Sequence, residues 1–221
     1  MPQSMPSPLA LAAGLLLWAF FGTATAQQSS EESDGVSRDL LQRESGLADL
    51  QKCPAEIVAK KENRDYLTSD DCKPGKFASC ASRCTAGDAG ACYWLGYELQ
   101  QAHGLPRASE LLYQRSCKLG VMSGCTNRAA GMLDDRPDDS KVQACAVATF
   151  AKTCSFDDPW GCNMYALQLS RGIGVAQNRE LALRVLEKSC QYGAEDPACS
   201  SGMQLRREIL GKRPAGKQNE Q

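Results

Sequence analysis

Twelve cysteines are the residues of this chain whose type and spacing could do chemistry, and eight of them recur in pairs. Cys84 and Cys92 enclose Thr-Ala-Gly-Asp-Ala-Gly-Ala; Cys117 and Cys125 enclose Lys-Leu-Gly-Val-Met-Ser-Gly; Cys154 and Cys162 enclose Ser-Phe-Asp-Asp-Pro-Trp-Gly. The pair Cys190 and Cys199 is one residue longer. Cysteines in regular positions can cross-link, ligate a metal or carry thiol redox chemistry. Zinc sites usually separate their cysteines by about two to four residues. Only Cys80-Ala-Ser-Arg-Cys84 comes close, and the sole histidine is His103. No metal ligands and no cofactor are assigned.

The other residue types give no catalytic set. No Gly-x-Ser-x-Gly elbow occurs, and no Ser-x-x-Lys, Ser-Asp-Asn or Lys-Thr-Gly. His103 sits beside Gly104 and reads as an exposed, structural loop residue. Ser170, next to Arg171, reads as an ordinary helix end. Tyr93, Trp94 and Tyr97 share one helix and are expected in packing between repeats rather than in a ligand box. Trp160 is expected near its disulfide. No catalytic residue is assigned, and the binding residues stay unknown.

The amino terminus sets the compartment. Leu9 to Phe21 is an apolar run of 13 residues, short of the roughly 20 that span a bilayer. Ala24 and Ala26 follow in an A-x-A arrangement, and then polar Gln27. We read 1–26 as a secretory signal peptide cleaved after Ala26, with an uncleaved anchor as the competing reading. An even, dense set of cysteines behind such a leader implies an oxidising compartment and a disulfide framework. The chain is therefore expected to be secreted or periplasmic, with no stable membrane insertion once the leader is gone. Lys and Arg number 25 against 26 Asp and Glu. That balance argues against nucleic acid as a partner, because the phosphate backbone needs a positive face.

The elements that must position the cysteines are helices. The second cysteines of the pairs lie 33, 37 and 37 residues apart, a period of stacked helical hairpins. Apolar residues at helical intervals predict helices over Phe77–Cys84, Ala91–Gln101, Arg107–Lys118, Met122–Leu133, Ser140–Thr153, Trp160–Arg171, Asn178–Ser189 and Pro197–Leu210. Ser140 is the expected cap of its helix. Around these lie a flexible linker (27–46) expected to turn helical near Leu40 and Leu41, an N-terminal helical cap (47–75) carrying Leu50, Ile57 and Val58 at helical intervals, and a disordered tail (211–221). The span 76–210 is the expected repeat domain, about three repeats with a capping helix.

At Leu95-Gly96-Tyr97, Gly104-Leu105-Pro106, Ala108 and Cys117 the chain resembles the Sel-1-like repeat family, itself tetratricopeptide-like. The stretch Tyr165-Ala166-Leu167, Arg171-Gly172-Ile173-Gly174-Val175, Ala182 and Leu186-Glu187-Lys188-Ser189-Cys190 is more similar still. The repeated cysteine pair resembles the bacterial cysteine-rich members. Arg128-Ala129 departs from the pattern, as does Gly202-Met203, and the second repeat lacks the Gly-x-Gly-Val loop. The resemblance implies an all-α fold, a right-handed α-solenoid of helical hairpins stapled by disulfides within each cysteine pair. It also implies a protein- or peptide-binding scaffold or adaptor. Its competing implication is a β-lactamase or penicillin-binding hydrolase, as described for similar cysteine-rich bacterial proteins. For paired cysteines to bond, the spacer must turn: eight positions along a straight helix span about 12 Å, and a disulfide needs Cα atoms within about 7 Å.

Four cysteines remain. Cys53–Cys72 would close the N-terminal cap, and Cys72–Cys80 is the rival, repeating the seven-residue gap around Pro74-Gly75. Cys80 and Cys145 are two hairpins apart, which speaks against a direct bond. Cys145, near the small-residue position of Ala108 and Ala182, is expected as a buried structural thiol, with a redox thiol as the alternative.

Overall fold

The computed structural model describes residues 31–42, 47–64, 72–101 and 106–211. The expected signal peptide, His103 with Gly104 and Leu105, and residues 212–221 of the expected tail lie outside them. Among the described residues every regular element is helical and no strand occurs. In chain order the helices are α1 (31–42), α2 (Pro54–Ile57), α3 (Phe77–Thr85), α4 (Ala89–Gln101), α5 (Pro106–Lys118), α6 (Met122–Asp135), α7 (Ser140–Ser155), α8 (Pro159–Arg171), α9 (Arg179–Val185) and α10 (Pro197–Gly211). A 3₁₀ turn, Leu186–Cys190, continues α9. From α3 to α9 each helix packs against the next in sequence.

Glycine, acid and cysteine explain the sharp turns between these helices. Three residues after the first cysteine of each pair the backbone turns left-handed, at Gly87 (φ 101°), Gly120 (φ 99°), Asp157 (φ 62°) and Gly193 (φ 103°). A side chain is strained there, so glycine fills three of the four places. Asp88 and Asp158 follow, and each accepts from a free backbone N–H of the next helix: Asp88 from Ala91 at 2.9 Å, Asp158 from Gly161 at 2.9 Å. Helix α7 is capped by Asp139, which accepts from Lys141 N and Val142 N. The expected cap, Ser140, is its first helical residue: the Asp139 carboxylate, one position earlier in the chain, already accepts from those donors.

Helix α1 includes the helical turn expected near Leu40 and Leu41 and corrects the flexible linker expected before it. Val36, Leu40 and Leu41 pack against Phe77, Leu95 and Leu99, and the Glu32 carboxylate accepts from Gly75 N at 2.6 Å and Phe77 N at 2.9 Å. The polar composition of 27–46 hides a three-residue apolar stripe and a cap for α3.

The N-terminal cap is also corrected. Among the described residues of 49–64 and 72–75, only Asp49–Gln51, a 3₁₀ turn, and the four-residue α2 are helical. Pro54 forces the residue before it out of the helical region, and Cys53 is extended (φ −66°, ψ 130°). Val58 is extended again (ψ 133°). Instead of capping an end, 49–64 runs as a strap across α5, α6 and α7.

Candidate functional site

The cysteines define how the site is assembled. Cys84–Cys92, Cys117–Cys125, Cys154–Cys162 and Cys190–Cys199 are disulfides, with Cα atoms 4.3–4.7 Å apart. Each ties the end of one helix to the start of another. Cys72 bonds to Cys80. Cys53 bonds to Cys145, across 92 positions. The Cys53–Cys72 alternative is thereby excluded, and Cys145 is not a thiol. The buried small residue of α7 is Ala146, with no exposure, as at Ala182; Ala108 is 1% exposed. Cys145 lies one position round the helix and meets the strap. All twelve cysteines are paired.

The strap lies on side chains that grip its main chain. Gln114 Nε2 donates to the carbonyls of Asp49 (2.7 Å) and Lys52 (3.1 Å). Arg128 donates to Leu50 O at 3.0 Å, Lys152 Nζ to Ala55 O at 2.8 Å, and Ala55 N to Thr149 Oγ1 at 3.2 Å. Further on, Asn63 N donates to Gly120 O at 2.8 Å. A Cβ at Gly120 would stand 2.7 Å from Lys61 O, so the strap also depends on that glycine for room. Val58 fills a pocket with Cys117, Met122 and Cys125. At the leading end Asp49 pairs with Lys52 and Lys118. Hydrogen bonds from Lys118 and then Lys52 hold its carboxyl below the ordinary carboxylate range.

Two acids, Glu110 partly buried and Asp158 fully so, stand behind this face. Glu110 is bonded to Arg128 at 2.6 Å. Burial nevertheless pushes its carboxyl up to about 7, with Arg128 opposing. Arg128, which departs from the Sel-1-like pattern, thus spends one arm on Glu110 and the other on the strap. Asp158 is enclosed by Ser123 Oγ (2.8 Å), Thr126 Oγ1 (2.6 Å) and Gly161 N. Burial raises its carboxyl, and those donors oppose the shift. The two hydroxyls and the Asp158 carboxylate are shut inside the helices, where a substrate cannot reach them.

The aromatic residues divide. Tyr93 and Trp94 meet edge to face at 5.2 Å, Trp94 and Tyr97 at 5.9 Å, and Tyr93 reaches Tyr113 of α5 at 6.0 Å. Tyr97 is 39% exposed. Trp160, expected beside its disulfide, is 40% exposed and shares a shallow groove with Met164 and Leu205. That groove lies between α8 and α10. Ser170 donates to Leu167 O at 2.8 Å, as a helix-end serine does.

Among the described residues no group of three or more His, Cys, Asp and Glu side chains could hold a metal, and no helix is long and apolar enough to cross a membrane. Six disulfides suggest an oxidising, extracellular-type environment. Fold and site together define a disulfide-rich helical protein that binds a segment of its own chain. The chain matches no family model, no curated protein and no solved structure.

Proposed function

We propose that this protein is an exported scaffold that holds an extended peptide or protein segment, in a periplasm or outside the cell. Its helices are read as a right-handed solenoid of Sel-1-like hairpins, a form whose stacked repeats present long binding surfaces. The observation that carries the reading is the grip on the strap. Gln114, Arg128, Lys152 and Thr149, from three successive helices, bind the main chain of an extended segment. A ladder of side chains aimed at carbonyls and amides holds the main chain, and the pocket that Val58 fills selects among sequences.

The test is a peptide display library panned on pure protein, both with its disulfides closed and after mild reduction. Binders of micromolar affinity, with amide exchange slowed on α5, α6 and α7, are the expected result. An absence of binders to both forms would overturn the reading.

A further inference from the structure

The strap does not complete the face that holds it. Gln114 Oε1 and Arg128 Nε have no hydrogen-bond partner among the described residues, although Gln114 is 1% and Arg128 7% exposed. Both belong to side chains that grip the strap. A buried polar atom left unpaired costs about 1–3 kcal/mol, so a better complement to this face than the strap can exist. Beside Asp49 there is also a cavity of about 550 Å³, walled by Leu40, Leu111, Leu112 and Leu119. No strap side chain other than Asp49 lines it.

The tether keeps such an occupant in place. A segment linked to its site faces it at an effective concentration in the millimolar range. Cys53–Cys145 adds a covalent bond. It is also the one disulfide in which neither cysteine is fully buried; each of the others includes at least one buried cysteine. Thiol–disulfide exchange needs access to a sulfur, which makes this pair the open one.

We propose that the face of α5, α6 and α7 under residues 49–64 is a binding surface for an extended peptide, with the strap as its built-in occupant, and that a dithiol opens it by reducing Cys53–Cys145. This rests on the peptide-holding reading above. In the exchange the Sγ–Sγ bond breaks. Two electrons and two protons pass from the dithiol to Cys53 and Cys145, which become thiols, and the donor becomes a disulfide. The incoming peptide offers a backbone N–H to Gln114 Oε1 and an apolar side chain to the cavity beside Asp49.

The test uses the full-length Cys53→Ser protein, whose unpaired cysteine is Cys145. The probe is a synthetic 49–64 peptide with its Cys53 activated as a mixed disulfide with thionitrobenzoate. Capture on Cys145 is expected at least about tenfold faster than with a scrambled peptide that keeps the cysteine in place. Equal rates would overturn the proposal. If the variant lacks native circular dichroism, the wild type decides. Limiting dithiol followed by alkylation should label Cys53 and Cys145 first, and the opened protein should then bind the 49–64 peptide carrying Cys53→Ser. Another pair opening first, or no binding after opening, would overturn it. Library peptides that bind while the strap peptide is not captured would sink this inference alone; failure of both would sink the scaffold reading as well.

Discussion

Cys53 and Cys145 are 92 positions apart in the chain, and their disulfide brings the Cα atoms to 5.7 Å. The bond joins an extended strap to the middle of α7, and it encloses all of α3 to α6. The other five disulfides span eight or nine positions and act between neighbours. The contrast in loop length sets the first expectation. By the chain-entropy model, replacing Cys53 and Cys145 together by serine should cost about 4–5 kcal/mol, whereas Cys154→Ser with Cys162→Ser should cost about 2–3 kcal/mol. Guanidinium unfolding of the two double variants measures the difference. A short-loop variant as unstable as the long-loop one would show that the staple holds native packing as well as restricting the unfolded chain.

The left-handed turn positions make the second expectation. Asp157 stands where the three equivalent residues are glycine. Its carboxylate pairs with Lys188 at 3.0 Å, but both groups are about half exposed, and such a pair is worth under about 1 kcal/mol. Gln191 donates to the Asp157 carbonyl, which any residue keeps. Asp157→Gly should therefore leave stability level or raise it by up to about 1 kcal/mol. Thermal unfolding in high salt, where the ion pair is screened, should show the larger gain.

Close approach at the staples makes the third. A Cβ on Gly124 would lie 2.0 Å from Ser116 Oγ, and one on Gly161 would lie 2.1 Å from Thr153 Oγ1. Ser116 and Thr153 each precede the first cysteine of a pair, and Gly124 and Gly161 each precede the second. Gly124→Ala should cost about 1–3 kcal/mol by overpacking. Adding Ser116→Ala removes the clashing oxygen and should recover part of that loss, since Ser116 Cβ and Cys117 N remain within 3.1–3.2 Å. Denaturant midpoints of the single and double variants test the coupling.

Much of the helical register was legible because each spacer carries its own punctuation. Glycine, aspartate and proline between paired cysteines mark where one helix ends and the next begins, and the observed ends lie within a few residues of those marks. The Ser/Thr-Cys and Gly-Cys steps were equally present in the sequence and could have shown how closely the helices approach. The strap was not legible. No local signal links Cys53 to Cys145, because the bond follows from where α7 stands in space. A single position on a helix is a rotation of about 100°. That rotation separates Ala146, which is buried, from Cys145, which faces the strap. Arg128 looked like a lapse in a repeat motif, yet its guanidinium joins Glu110 to Leu50 O. The first part of helix α1, ahead of Leu40 and Leu41, escaped for a related reason: its apolar stripe is short, and it packs on residues far along the chain.

The Glu110–Arg128 pair gives the last expectation, and its sign follows from burial. The ordinary carboxyl value of 4.5 rises to about 7 in the folded protein. Folding therefore takes up a proton between those pH values, and rising pH disfavours the folded state there. The effect is fully expressed above about 7 and absent below about 4.5. By linkage it amounts to at most about 3 kcal/mol. Asp49 and Asp88 act oppositely but at lower pH, because their carboxyls are held below 3.8. Asp158, raised by burial, adds a slope of the same sign as Glu110. Comparison with Glu110→Gln isolates the pair. The wild type should lose stability relative to that variant as pH climbs from about 4.5 to 7, followed by unfolding midpoints at fixed ionic strength. Parallel curves would mean that Arg128 balances the burial of the carboxylate. Arg128→Ala should also be destabilising, by about 1–3 kcal/mol near neutral pH, because buried polar groups lose their partner. Without the guanidinium the Glu110 carboxyl is pushed up further and takes up a proton, and the carbonyl of Leu50 is released, so the loss should be accompanied by faster amide exchange along the strap.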